Sequence, residues 1–196
     1  MDKNRCMRWI SGAVLVVATT AVQADLLIYT ASLSGAAEAS PNASPGSGSA
    51  TVTVDTVNHT LLVDVMFDAL MGLTTAAHIH CCTAVPVAGT AGVATVVPNF
   101  PGFPTGVSAG SYNASFDLTL ASSWNGAFVT ANGGTIAGAE AALLAGLEGE
   151  QAYLNIHSNL FPGGEIRGFL TRELPEPATL ILFGLGLGGL LLRRRR

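Results

Sequence analysis

The chain has 196 residues, of which 11% are charged and 49% hydrophobic, with 23 glycines and 9 prolines. So few charges exclude a helical bundle or coiled coil, because soluble domains usually carry roughly 25% charged residues. So much apolar content excludes an intrinsically disordered chain, and the length suits one globular domain between two short terminal segments.

Residues 1–24 form the first of these segments. Lys3, Arg5 and Arg8 precede an uncharged run from Trp9 to Val22, and Val22-Gln23-Ala24 places small residues where a signal peptidase reads. This pattern predicts a secretory signal helix cleaved after Ala24. Its apolar core is shorter than the about 20 residues that a membrane span needs. Cys6 lies before that core, where no lipoprotein cysteine can stand.

Residues 25–173 read as the exported domain. Its strand candidates are Leu26 to Ser34, Ala50 to Asp55, Leu61 to Phe67, Ala76 to Cys81, Val93 to Val97, Ser111 to Leu120, Ala152 to His157 and Glu165 to Thr171. Alternating and β-branched runs separated by a turn at Asn58-His59 predict that the second and third of these make a hairpin. Short strands joined by Gly, Pro and Ser turns predict an antiparallel β-sandwich or barrel, of which the sandwich, Ig-like or superoxide-dismutase-like, is the expectation. Ile136, Leu143, Leu144 and Leu147 recur at helical spacing and predict one short amphipathic helix with Glu140 on another face, covering an end or edge of the sandwich. Between Pro98 and Pro104, three prolines and two phenylalanines predict a packed excursion. Its rings are candidates for packing on the sandwich or for a surface patch that receives sugars.

The third segment is 174–196. Pro175, Glu176 and Pro177 stop regular structure, Leu180 to Leu192 is uncharged, and Arg193, Arg194, Arg195 and Arg196 close the chain. Thirteen residues rise only about 20 Å as a helix, short for a bilayer, but thinning and snorkelling arginines can accommodate a short transmembrane helix. The arginine cluster predicts a cytoplasmic terminus.

Charge is unevenly distributed. Residues 25–173 hold eleven acids against Arg167 and Arg172, a net charge of −9, whereas the whole chain has −4. Such a surface repels nucleic acid and anionic polysaccharide, and favours cations or neutral partners.

The tail resembles the PEP-CTERM sorting signal of Gram-negative bacteria: a Pro-Glu-Pro motif, a short membrane helix and an arginine cluster. That resemblance implies recognition by an exosortase, a membrane cysteine transpeptidase. It also implies passage through the inner membrane and delivery to the cell surface or an extracellular polysaccharide matrix. A plain membrane anchor is the alternative.

The domain has its own resemblance. Leu33-Ser34-Gly35 with Glu38, the Gly-rich Pro45 to Ala50, Ala77-His78-Ile79-His80, Tyr153 to Ser158 and Pro162-Gly163-Gly164-Glu165-Ile166-Arg167-Gly168 are similar to the CHRD domain, named from chordin. The family implies an Ig-like β-sandwich in an extracellular setting, with no established activity for its bacterial members.

Three histidines are the candidate metal ligands. His78 and His80 project from one face of their strand, about 6–7 Å apart, and His157 shares a face with Tyr153 and Asn155 on another. If the strands bring them together, three neutral nitrogens suit copper or zinc, with Glu165 as a fourth or supporting partner. A hydrogen-bonded cluster that fixes loops is the competing reading. The His-x-His strand is similar to that of copper and zinc superoxide dismutases, but their His-rich zinc loop and bridging histidine are missing.

Cys81 and Cys82 are the only cysteines after Ala24. They are candidates for a bond to each other, for an intermolecular bond, or for thiolate ligands beside His80. No nucleophile elbow or phosphate-binding glycine loop occurs. Asp64 and Asp68 read as solvent-facing strand residues, and Arg167 as one half of a structural ion pair. The expectation is therefore a non-enzymatic exported module with a structural or binding role, or alternatively a copper- or zinc-binding protein.

Overall fold

The computed structural model describes residues 26–173. The expected signal helix with its cleavage after Ala24, and the tail from Pro175 to Arg196 with its expected transmembrane helix, lie outside the described residues.

The described chain runs β1 (Leu26–Ser34), β2 (Ser47–Asp55), β3 (Thr60–Asp68), β4 (Thr74–His80), β5 (Gly110–Asp117), α1 (Gly126–Ala131), α2 (Ile136–Glu148), β6 (Tyr153–Ser158), β7 (Ile166–Phe169) and β8 (Thr171–Arg172). The strands form one antiparallel sheet in the order β4-β6-β7-β1-β2-β3-β5, with β8 also on β1. The fold is mainly β, of half-barrel or sandwich type.

Strict alternation explains the long strands. Leu61, Val63, Val65 and Phe67 are buried while Leu62, Asp64, Met66 and Asp68 are exposed, as one wet face and one dry face require. The dry faces of β1, β2, β3 and β5 share a single core with Ala77 and Ile79 of β4, Leu154 and Ile156 of β6 and Ile166 of β7. At the hairpin turn, Asp55 accepts hydrogen bonds from the Val57 and Asn58 backbone amides, and His59 takes a positive φ of 52°. An Asx-type bond of this kind explains why the chain reverses there.

Four expectations change. Val93 to Val97 is no strand: it makes only single bridges, His80 to Val93 and Thr95 to Trp124, because the Thr95 hydroxyl, not a backbone ladder, accepts the Ile79 amide. The expected strand through Thr171 divides at Leu170, whose amide bonds to Ala152. A second helix, α1, begins at Asn125, whose side chain caps the Ala127 amide. Finally, Phe100 and Phe103 are buried against Tyr112, Phe116 and Phe67, so they are core and offer no sugar-facing patch.

Helix α2 buries Leu143 and Leu147 in the core and is tied down at three points. Glu140 is buried and meets His59 Nδ1 at 2.8 Å. Gly146 lies against the Cys81–Cys82 disulfide, where a Cβ would overlap both sulfurs. Glu148 accepts from Tyr29 Oη at 2.6 Å and from Arg172 Nη1 at 3.0 Å.

Candidate metal centre

Antiparallel pairing of β4 with β6 places His78 opposite Asn155, His80 opposite Tyr153 and Ala76 opposite His157. Because alternate residues share a face, His78, His80 and His157 emerge on the side of the sheet away from Ile79, Leu154 and Ile156. One nitrogen from each histidine lies within 4.8 Å of the others. The His78 ring is 6.0 Å from that of His80 and 5.5 Å from that of His157, centroid to centroid.

The second nitrogen of every ring is already committed. His78 Nε2 meets the Pro98 carbonyl at 2.7 Å, His80 Nδ1 the Ala91 carbonyl at 2.9 Å, and His157 Nδ1 the Pro162 carbonyl at 3.0 Å. A carbonyl only accepts, so in each case the ring donates, and in a neutral imidazole the other nitrogen must then be a lone pair. Those other nitrogens, His78 Nδ1, His80 Nε2 and His157 Nε2, are buried with no hydrogen-bond partner. Three neighbouring rings therefore each carry a buried lone pair with no proton to share.

Burial keeps the rings uncharged. It pushes the His80 pKa down to about 4 against the raising effect of the Ala91 carbonyl. Burial likewise lowers His78, with the Pro98 carbonyl opposing, and His157, with the Pro162 carbonyl opposing. Tyr153 steadies the assembly: its ring stacks on His80 at 4.8 Å and its hydroxyl bonds to Ala91. Neutral nitrogens oriented by backbone carbonyls are the donor set that zinc and copper take.

Other sequence candidates lie elsewhere. Glu165 is fully buried, but its carboxylate is spent on Ser44 Oγ and the Met71 and Gly72 amides. Burial raises its pKa, yet hydrogen bonds from Ser158, Ser44, Met71 and Gly72 outweigh that and lower it overall. It pins loops and does not join the histidines. Cys81 and Cys82 are bonded to each other, which removes them as thiolate ligands. Asp64 and Asp68 are exposed. Arg167 has its carboxylate, Glu38 Oε2 at 3.8 Å, and also donates to the Ala37 and Gly89 carbonyls.

A CHRD domain model matches residues 29–170. The chain belongs to the CHRD domain family. A PEP-CTERM protein-sorting motif matches residues 173–196, so this CHRD protein is exported, directed to the cell envelope and processed by an exosortase-type system. No curated protein and no solved structure is similar enough to match.

Proposed function

We propose that this exported CHRD protein is a non-enzymatic metal-binding module that holds one copper or zinc ion through His78, His80 and His157. The observation that carries the reading is the set of three buried, unpartnered imidazole nitrogens, each oriented by a carbonyl behind it. A buried polar atom without a partner costs about 1–3 kcal/mol, and three directed at one point are offset together by one cation. Tetrahedral zinc with bonds of about 2.0–2.1 Å holds its nitrogens about 3.4 Å apart. Loading therefore draws the rings inward from their present spread. Three protein ligands leave a fourth position for water or a small ligand.

Delivery completes the reading. Signal peptidase would release the N-terminus after Ala24, and the tail would hold the protein at the inner membrane until exosortase-type processing passes it to the surface or an extracellular matrix. The acidic domain, at −9 over residues 25–173, favours cations near such a site.

Zinc or copper titration of the chelator-treated protein tests the reading. One equivalent should bind to the wild type and none with comparable affinity to His157→Ala. One observation favours a second reading, a purely architectural trio: the same rings bond the loops at Pro98, Ala91 and Pro162. Under that reading the wild type takes up no stoichiometric metal.

A further inference from the structure

The histidine face continues across the sheet. Asn155 pairs with Arg167 on β7 as well as with His78 on β4, and Tyr153 pairs with Phe169. Beside the histidines, between this row and the loops at 38–42, 89–91 and 160–164, lies a cavity of about 540 Å³, within the roughly 300–1,000 Å³ of small-molecule sites. Glu38, Asn155, Arg167 and His80 line its polar part, and Leu160 and Phe161 an apolar part. These four are at most 9% exposed, whereas Ser40, Asn42 and Thr90 at the rim are exposed or half-buried.

This polar lining is not satisfied by the protein. Glu38 Oε1 and Asn155 Oδ1 are buried without partners, although native interiors pair nearly all such atoms. The Arg167 guanidinium lies over the Tyr153 ring at 4.8 Å and spends Nε and Nη1 on backbone carbonyls. Gly164, at φ 133°, allows the approach, since a Cβ there would strike Asn155 and Glu38 Oε1.

We propose that this cavity binds a neutral polyhydroxyl ligand, a sugar or the end of a neutral sugar chain, through Glu38, Asn155 and Arg167. Two unpartnered acceptors require a ligand that donates, which excludes a simple anion. Arg167 beside Glu38 cancels the carboxylate charge and repels an ammonium. Hydroxyl groups both donate and accept, and the Leu160–Phe161 side offers an apolar surface for the C–H face of a sugar ring. Burial, opposed by Arg167, the Ala39 amide and Asn155, raises the Glu38 pKa to about 7. The carboxylate that balances Arg167 is therefore the main form only above that value, and the titrations below are made at pH 8.

The test uses the full chain in a zwitterionic detergent, chelator-treated so that the outcome is independent of the metal reading. Glucose and cellotriose are titrated and followed by saturation-transfer NMR, with glucuronate and glucosamine as charged counterparts. Saturable binding of glucose or cellotriose, at least about tenfold tighter than either charged sugar, is expected. Glucose alone binding assigns free sugar, and cellotriose binding as well or better assigns a chain end. Gly163→Leu places a side chain into open space at the cavity wall and should abolish binding without unfolding the domain. Glu38→Gln leaves Arg167 uncompensated and should reverse the preference toward glucuronate. A folded wild type that binds neither neutral sugar, prefers a charged one, or keeps its affinity in Gly163→Leu with no reversal in Glu38→Gln overturns the proposal.

Discussion

His78 on β4 stands directly opposite Asn155 on β6, so the three-histidine cluster and the adjoining cavity share one face of one sheet. The opposite face of the same strands carries Ala77, Ile79, Leu154 and Ile156 and is wholly core. A strand buried on both faces cannot shift register without exchanging its histidines for its isoleucines. The hydrophobic side therefore holds the histidines in place.

Loss of one ligand should weaken metal binding by at least about 100-fold, more than is typical for a supporting residue. Binding at about 100 times Kd stabilises the folded state by about 2.7 kcal/mol, which for a domain of this size raises Tm by about 5–10 °C. Zinc should therefore raise the wild-type Tm in thermal scans and leave that of His78→Ala unchanged.

Two histidine titrations should move stability in opposite directions. Hydrogen bonding to Glu140 raises the His59 pKa above its ordinary 6.5, so that contact stabilises fully below pH 6.5 and its contribution is lost as pH rises through the folded value. Burial depresses His80 to about 4. Between pH 6.5 and 4 the unfolded chain then binds a proton that the folded one refuses, and stability falls by up to roughly 3 kcal/mol as pH drops. Protonation of Glu38, whose pKa burial raises to about 7, acts in the opposite sense over the same range, so denaturant melts of the metal-free protein should show a steeper decline from pH 6.5 to 4 than those of His80→Gln. In His59→Gln the loss of stability relative to wild type should be larger at pH 6 than at pH 9.

Gly146→Ala should destabilise by about 1–3 kcal/mol, since the added methyl overlaps both sulfurs of the Cys81–Cys82 bond and α2 must shift. Chemical denaturation of the oxidised protein checks this. Ala142→Ser, on the same helix but half-buried, should cost well under about 1 kcal/mol.

Glu165→Ala should cost about 3 kcal/mol or more, because it strands the Ser44 hydroxyl and the Met71 and Gly72 amides together. The carboxylate's lowered pKa means that its contribution is present above about pH 4.5 and fades as pH falls through the folded value. An urea melt at pH 7 that finds the variant as stable as the wild type would contradict this role.

Much of this architecture was legible because it is local. Alternation in Leu26–Ser34 and Thr60–Asp68 states strand and buried face together, and the two-residue spacing of His78 and His80 states that they share a side. Val93 to Val97 misled because a β-branched run looks the same whether it joins a continuous ladder or, as here, makes single backbone bonds to Ile79 and Asn125 and one bond through the Thr95 hydroxyl. Helix α1 was masked by its length, since six residues are too few to show a helical period, although Asn125 carries the capping signal. The buried contact of Glu140 with His59 was not legible, because the two lie 81 positions apart. The carbonyls of Ala91, Pro98 and Pro162 leave no trace in side-chain identity, and the meeting of Glu38 with Asn155 and Arg167 depends on strand order, which spacing does not state.

Metal content tests the central claim most directly. The full chain, exported in a Gram-negative host and purified without chelator or metal resin, is compared by elemental analysis with His78→Ala and with a triple variant lacking His78, His80 and His157. The account predicts close to one copper or zinc per wild-type chain and none in either folded variant. A folded wild type that carries no copper or zinc and takes up neither when supplied would contradict it.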